Sequence, residues 1–243
     1  MERKKFLRSL MISAFSAPII IDACSKSEGV TDAAASSGTA GTGASGAATG
    51  CNLAPTETEG PFPTKAPASY VRSDITNGRT GYALSIKLTI NNSNNSCSAL
   101  PGAMVDIWHC DAEGNYSEYG GSGMQTTNYQ SLHFLRGRQT TDSGGLVTFT
   151  SIFPGWYSGR ATHIHVHVYN AAGTSLKVTQ IAFPEVTGSA VLAVNGYSKG
   201  MTGYTYNAKD NVFSDDTAGI EIATVTGSVT AGFALAINIS VPA

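Results

Sequence analysis

The amino-acid sequence predicts an all-β fold, an antiparallel β-sandwich in a single domain with few short helices. From residue 83 onward, short runs alternate apolar and polar residues and are enriched in β-branched side chains. Clusters of Gly, Asn, Asp and Ser separate these runs, as turns separate strands. Only residues 189–195, opened by Ser189 and closed by Gly196, have a helical pattern. This succession is typical of a sandwich rather than of βαβ units.

The predicted strands follow one another along this part of the chain. Residues 84–90 alternate, residues 91–96 form an Asn- and Ser-rich turn, and residues 103–109 are predicted to be the return strand. Further strands are predicted at residues 146–151, 163–169 and 178–183.

The last two predicted strands form a terminal hairpin. Residues 220–225 and 233–241 are separated by Thr226-Gly227-Ser228, which suits a turn. A chain of 243 residues with 42% hydrophobic residues can bury one substantial core, so a single folded domain is expected.

The first 24 residues are typical of an export signal. A positively charged start precedes an apolar run, residues 9–21, which is too short to span a membrane. The run ends in Ile21-Asp22-Ala23-Cys24, which resembles the lipobox at which a signal peptide is cleaved before a lipid-bearing cysteine. We therefore expect an exported lipoprotein, anchored through Cys24 to a membrane of the cell envelope, or otherwise a periplasmic or secreted protein.

Residues 25–50 are rich in Ser, Gly, Ala and Thr and are interpreted as a flexible linker, which leaves residues 51–243 as the folded domain. The net charge is −2, only 13% of residues are charged, and no basic run follows Arg8. This composition predicts no nucleic-acid partner, and a small-molecule partner is expected. It favours no particular oligomeric state.

The remaining cysteines would lie in an oxidising compartment. Without Cys24, the set is Cys51, Cys97 and Cys110, so one disulfide and one free thiol are expected. Cys97 falls in a predicted turn and Cys110 at the far end of the next strand, roughly 20 Å or more away at ~3.3 Å per residue, which disfavours a bridge between them. Cys51 is therefore expected to pair with either Cys97 or Cys110.

The sequence His163-Ile164-His165-Val166-His167 is the sharpest local signal of chemistry. Residues i and i+2 of a strand point to the same face about 6.6 Å apart, so two imidazoles can converge on one ion. Ile164 and Val166 would then point into the core. His167 lies two pleats from His163 and is expected to stay outside the site. A His-x-His pair by itself would suggest zinc or copper.

Two tyrosines near this strand favour iron instead. Tyr116 follows the predicted strand at 103–109, and Tyr157 lies six residues before His163. A phenolate is a hard anionic oxygen donor that Fe(III) favours over softer divalent metals. Because the ordinary pKa of tyrosine is near 10, a strong Lewis acid must drive the deprotonation.

These residues belong to a longer ordered set of segments, at residues 58–62, 102–108, 114–117, 141–145, 154–157, 163–165 and 178–184. Together they resemble the intradiol ring-cleavage dioxygenases, the family of catechol 1,2-dioxygenase and protocatechuate 3,4-dioxygenase. The resemblance implies a metal site of two tyrosines and two histidines that binds Fe(3+), formed here by Tyr116, Tyr157, His163 and His165. It also implies a catechol-type substrate and dioxygen as reactants.

The resemblance further assigns roles beside the metal. The arginine and glutamine that flank the substrate in the family map onto Arg160 and Gln180. In the implied mechanism Tyr157 leaves the iron and takes a catechol proton, Arg160 stabilises negative charge on the ring, and dioxygen cleaves the ring to a muconate-type diacid. Only Ser158 and Gly159 separate Tyr157 from Arg160, a shorter stretch than is usual in the family, so a pocket of altered shape is expected.

Other interpretations of the same residues remain open at this point. Tyr119 competes with Tyr116 as the first tyrosine, Arg160 could be a surface salt-bridge partner, and Gln180 could be an ordinary core amide. The whole protein could be a copper or zinc His-x-His enzyme with bystander tyrosines, or a lipid-anchored β-sandwich that binds a ligand without catalysis.

Overall fold

The computed structural model describes residues 51–243. The predicted signal peptide, the predicted linker and Cys24, which is expected to carry a lipid, lie outside the described residues. Within them, no helix has the length and apolar character needed to cross a membrane.

The described residues form the all-β sandwich that the sequence predicts. Its strands are β1 (Ala83–Asn92), β2 (Ser98–Ala99), β3 (Met104–Trp108), β4 (Arg136–Thr140), β5 (Leu146–Ile152), β6 (His163–Tyr169), β7 (Ser175–Ala182), β8 (Thr224–Ser228) and β9 (Gly232–Val241). The helical elements are α1 (Ala190–Val194) and three 3-10 turns, at Pro67–Ser69, Tyr197–Lys199 and Asn207–Lys209.

The strands divide into two sheets. The first sheet has the order β2-β1-β9-β8, and β5 also pairs with β1. The second sheet has the order β4-β3-β6-β7. All strand pairs are antiparallel except β1 with β9, which run parallel from Leu84 opposite Phe233 to Asn92 opposite Val241.

The core lies where the apolar faces of the two sheets meet, because alternate residues of a strand point to opposite faces. In β1 the inward residues are Leu84, Ile86, Leu88 and Ile90, all buried. In β6 they are Ile164, Val166 and Val168, each with 0% exposure. The two sets join one apolar cluster, so the odd-numbered residues of β6 are turned away from this core.

The strand predictions were wrong in three places. Residues 103–109 are not the return strand of β1, because β3 pairs with β4 and β6 in the second sheet and β2 alone folds back onto the end of β1. Thr226-Gly227-Ser228 is the end of β8 rather than a turn, and residues 229–231 connect the terminal hairpin. The strand β4 was not predicted. The predicted helix is confirmed as α1, although Ser189 makes no side-chain cap hydrogen bond.

The cysteine arithmetic is confirmed for the described residues. Cys51 pairs with Cys97, and Cys110 is a buried free thiol. The disulfide therefore fastens the start of the domain to the turn between β1 and β2. The bridge between Cys97 and Cys110 that strand geometry disfavours is not formed.

Candidate metal centre

The two histidines of β6 meet on the face of the second sheet that points away from the core. His163 and His165 are each 1% exposed, and their Nε2 atoms are 3.1 Å apart. The Nδ1 of His163 donates to the Ala161 carbonyl at 2.6 Å, which leaves its Nε2 as an unprotonated lone pair. The ring of His165 stacks on that of Trp108, its neighbour on β3, with centroids 4.9 Å apart.

Tyr116 reaches these imidazoles from the loop after β3. Its hydroxyl is 3.2 Å from His163 Nε2, and the side chain is fully buried. Gln125 fixes the tyrosine backbone from both sides, because its Oε1 accepts from Tyr116 N at 2.6 Å and its Nε2 donates to Tyr116 O at 2.8 Å. Phe62 stacks on the phenol ring with centroids 4.8 Å apart.

Tyr157 approaches from the loop between β5 and β6. Its ring centroid is 5.6 Å from that of His163 and 5.8 Å from that of Tyr116. The two tyrosine-bearing loops are in backbone contact, since a Cβ on Gly114 would lie 2.2 Å from the Trp156 carbonyl oxygen. Gly114 also has φ +90°, a conformation that side chains disfavour. A glycine is therefore needed where the loops cross.

Arg160 and Gln180 form a buried chain beside the imidazoles. Arg160 Nη2 donates to Gln180 Oε1 at 2.7 Å, and Arg160 Nη1 lies 3.5 Å from His163 Nε2. Gln180 in turn donates to the Thr58 carbonyl at 2.9 Å. Arg160 is only 7% exposed, so it is not a surface salt-bridge partner. Gln180 likewise has a partner on each side of its amide.

Asp210, which sequence reasoning missed, completes this chain. Its carboxylate is 0% exposed and accepts from Arg160 Nε at 2.9 Å and from Ala161 N at 2.6 Å. The Ala161 carbonyl is the group that orients His163. Asp210 therefore positions both the guanidinium and the imidazole. Nothing in the local sequence distinguishes this aspartate from a solvated one, because its partners lie about 50 residues earlier.

An N-terminal strap, residues 57–63, covers the imidazoles and shields them from water. Glu57 N donates to Val178 O, which aligns the strap along β7. Gly60 lies directly against His165, since a Cβ there would be 2.8 Å from His165 Cε1. Phe62 is held by its carbonyl, which accepts from the buried Arg136 Nη1 at 3.0 Å.

Burial sets the protonation states of the four candidate ligands. It lowers the pKa of His163 to about 3, with the positive charge of Arg160 adding to the effect. Burial also holds the pKa of His165 well below its ordinary value. It raises the pKa of Tyr116 well above 10 and raises the pKa of Tyr157. Without a cation, both imidazoles are thus neutral and both phenols are protonated.

This donor set fits a trivalent metal ion. Two nitrogen donors roughly 2.1 Å from one ion would lie about 3 Å apart when adjacent, which the Nε2 atoms match. Neutral imidazole is the form that binds metal. Buried phenols release their protons only to a strong Lewis acid, and phenolate oxygens favour Fe(III). Among residues 51–243, no three His, Cys, Asp or Glu side chains are grouped so that they could hold a metal ion.

A cavity of about 260 Å³ opens beside Tyr157 and Arg160. It is lined by Tyr157 and Arg160 together with residues of the strap, the shortened loop 158–159, Met124 and residues 211–212. The volume is below the roughly 300 Å³ at which pockets for drug-sized molecules begin, so it suits a single ring.

The structure thus brings together the six residues singled out from the sequence. His167 lies outside the cluster as predicted, because its Nδ1 contacts Glu59 at 3.1 Å and its Nε2 contacts Ser175 at 2.8 Å. Tyr119, the rival first tyrosine, donates its hydroxyl to the Pro63 carbonyl at 2.6 Å instead. Besides Asp210, the sequence analysis missed Gln125, which carries no motif.

Comparisons with known proteins identify the family of the chain. A family model described as "Dioxygenase" matches residues 77–193. An intradiol ring-cleavage dioxygenase from Tetranychus urticae is 30% identical, with a TM-score of 0.67, and the match covers 79% of this chain and 96% of that one.

More distant structures share the fold. The dioxygenase domain of a carbohydrate-binding fusion protein from Streptomyces sp. SirexAA-E is 24% identical, with a TM-score of 0.54, covering 78% of this chain and 97% of that one. A catechol 1,2-dioxygenase from Pseudomonas arvilla C-1 is 20% identical, with a TM-score of 0.52, covering 77% of this chain and 61% of that one. A search of curated proteins found no match.

Proposed function

Because the chain belongs to the intradiol ring-cleavage dioxygenase family, we propose that it is an Fe(III) enzyme that cleaves a catechol-type ring with O2. Cleavage would fall between the two hydroxylated carbons and give a muconate-type diacid. The observation that carries the proposal is the buried cluster of two neutral imidazoles and two phenols beside a ring-sized cavity.

Tyr116, Tyr157, His163 and His165 would hold the iron. When bound, Fe(III) would supply a Lewis acid that draws electron density from a catecholate and makes the ring reactive toward dioxygen. The strap keeps bulk water from the imidazoles, which strengthens electrostatic interactions inside the site.

Tyr157 is the residue best placed to move a proton. Its ring lines the cavity, whereas Tyr116 is enclosed behind Phe62. Since burial raises the pKa of Tyr157, its phenolate oxygen is a stronger base than a free phenolate and would take a proton from a catechol hydroxyl.

Arg160 would stabilise negative charge that develops on the ring and its oxygens. Its Nη1 faces the His163 side of the cavity, while Asp210 and Gln180 fix its other nitrogens. Donors that are fixed before the reaction stabilise a transition state without reorganising. Gln180 would act by holding the guanidinium in this orientation.

The test is oxygen uptake by the purified, iron-loaded protein with catechol, together with the product spectrum and the visible spectrum of the protein. We expect a burgundy sample from phenolate-to-iron charge transfer and a muconate-type product. Tyr157→Phe should abolish turnover and shift the visible band, whereas Tyr119→Phe should do neither. A colourless, metal-replete and inactive protein would point to zinc and contradict the proposal.

We further propose that residues 1–24 direct export, that Cys24 carries a lipid anchor and that residues 25–50 tether the catalytic domain, residues 51–243, to a membrane of the cell envelope. The sequence Ile21-Asp22-Ala23-Cys24 supports this proposal. Mass spectrometry of the mature N-terminus should find diacylglycerol on Cys24, and Cys24→Ala should release the protein from the membrane fraction. An N-terminus cleaved elsewhere without lipid would contradict it.

A further inference from the structure

The cavity beside Tyr157 has an uneven distribution of charge. Of its lining residues, only Arg160 carries a formal charge, and Thr58, Ser158 and Asn211 are neutral polar groups. A substrate that enters the cavity therefore finds one cation, whose Nη1 lies 3.5 Å from His163 Nε2.

That cation is already paired. Arg160 Nε donates to the Asp210 carboxylate at 2.9 Å, and Arg160 Nη2 is taken by Gln180. Since the partner carboxylate is fully buried, it neutralises the guanidinium at close range. The remaining nitrogen of the guanidinium, Nη1, lies 3.5 Å from His163 Nε2.

Carboxyl groups lie near the start of the strap. Glu57, which precedes the lining residue Thr58, has its pKa raised by burial and by the negative charges of Asp215, Asp210 and Asp216, with Arg160 opposing them. An anionic substituent on a bound ring would find no unpaired cation among the residues that line the cavity.

Polar and apolar side chains share the lining of the cavity. The apolar ones include Pro61, Met124 and Val212, and the Met124 side chain is 72% exposed. Gly159, in the shortened loop, has nothing within 4 Å of where its Cβ would be. There is thus open space beside Gly159, in a cavity that Met124, Pro61 and Val212 also line.

We propose that this site selects a neutral catechol with an apolar ring substituent over a catechol with a carboxylate substituent, and that Met124 is a specificity-determining residue for that choice. The inference rests on the proposed function and names its substrate class. Apolar contact with Met124, Pro61 and Val212 favours the first substrate, and the lack of an unpaired cation in the lining disfavours the second.

The direct test compares 4-isopropylcatechol with 3,4-dihydroxybenzoate, which are similar in shape and differ in charge. Oxygen uptake by the iron-loaded enzyme should give a kcat/KM at least roughly tenfold higher for the isopropyl compound. Equal values, or a preference for the carboxylate, would overturn the substrate class while leaving the proposed function intact. No uptake with either compound or with catechol itself would overturn the proposed function, and this inference with it.

Met124→Lys tests the specificity residue, because it places a cation in the lining of the cavity. The ratio of kcat/KM for the carboxylate to that for the isopropyl compound should rise at least roughly fivefold, mainly through KM. Val186→Lys is the matched control, since Val186 is also 72% exposed but does not line the cavity. An unchanged ratio in Met124→Lys, or an equal rise in both variants, would overturn the role of Met124.

Discussion

Strands β1 and β6 both alternate between a core face and a second face, but the second faces have opposite environments. In β1 the residues between the core positions, such as Ser85 and Lys87, are exposed to solvent. In β6 the corresponding residues, His163 and His165, are each 1% exposed. The first sheet is thus a sandwich layer with one wet face, whereas the second sheet is buried on both faces around these histidines.

The difference comes from what crosses the second sheet. The strap, residues 57–63, and the tyrosine-bearing loops lie over β6 and β7, so polar side chains there lose water. Polar groups without water need partners, and the partners are one another: imidazole, phenol, guanidinium, amide and carboxylate. Both strands have the same alternating pattern, so the cluster of polar side chains depends on the cover over β6 and not on the pattern of the strand.

Loss of an imidazole on the covered face should have the largest effect. We expect His165→Ala to lower both iron content and kcat/KM by more than about 100-fold, because even residues behind metal ligands commonly contribute 10–100-fold. Metal analysis, the visible band and oxygen uptake measure this.

The matched control is His167→Ala, two residues further along the same strand. His167 contacts Glu59, Ser175 and Tyr169 rather than the other two imidazoles, so its loss should leave iron content near that of the unchanged protein. If both variants lost iron equally, the site would not be confined to the residues assigned here.

Asp210→Asn should have the next largest effect. The amide keeps the size of the side chain but removes the charge that pairs with Arg160 and weakens the hold on Ala161 N. We expect kcat to fall about 10- to 100-fold and the charge-transfer band to shift, since His163 is oriented through Ala161. Circular dichroism should be unchanged. A lower melting temperature with an unaltered band and kcat would show a purely structural role.

Much of this comparison could be predicted from sequence, and the unpredicted part has a physical reason. The two-residue period of a strand predicts that His163 and His165 lie on the same face. The motifs around Tyr116 and Tyr157 predict that these tyrosines lie near them. Burial of the second face does not follow from the pattern, because alternation in β1 and β6 is the same and the covering strap lies about 100 residues away in sequence. Asp210 was missed for the same reason, since Arg160 lies 50 residues earlier, whereas Gln125 lies only nine residues from Tyr116 and was missed because it belongs to no motif.

The mispredicted return strand has a related cause. Residues 103–109 have the composition of a partner for β1, but the choice between two sheets is decided by packing across the whole sandwich. The strand β4 contains Arg136 and Arg138, and its buried arginine pairs with groups distant in sequence. The local strand propensity of residues 136–140 does not reflect those distant partners.

A smaller effect should follow when the strap is pushed against the covered face. In Gly60→Ala the added Cβ would lie 2.8 Å from His165 Cε1, and φ at this position is +69°. We expect a loss of stability above the roughly 1–2 kcal/mol of left-handed backbone strain, together with a shifted visible band. Chemical denaturation and the visible spectrum are the measurements.

The control variant Gly188→Ala measures the cost of left-handed backbone strain without a contact to His165. Gly188 has φ +82° and nothing within 4 Å of its Cβ position, so this variant should lose only about 1–2 kcal/mol and keep the band. Equal losses and unchanged bands in both variants would mean that the strap does not press on His165.

A histidine placed on the wet face should have the smallest effect. In Ser85→His the new imidazole projects into solvent from β1, so we expect a pKa near 6.5 and a stability change within about 0.5 kcal/mol. NMR titration of the metal-free protein should show this signal moving between pH 5 and 8. His163, whose pKa burial lowers to about 3, should not move in that range.

The burial of His163 also determines how the stability of the metal-free protein changes with pH. Between pH 6.5 and about 3, the unfolded chain binds a proton at His163 that the folded metal-free protein does not, so its free energy of unfolding falls as the pH falls through this window. The contribution of His163 is fully present above pH 6.5, and the slope approaches about 1.4 kcal/mol per pH unit. The histidine of Ser85→His should add no slope, because its pKa is similar in both states. A His163 signal that titrates beside it near pH 6.5 would mean that the second face is as wet as the first.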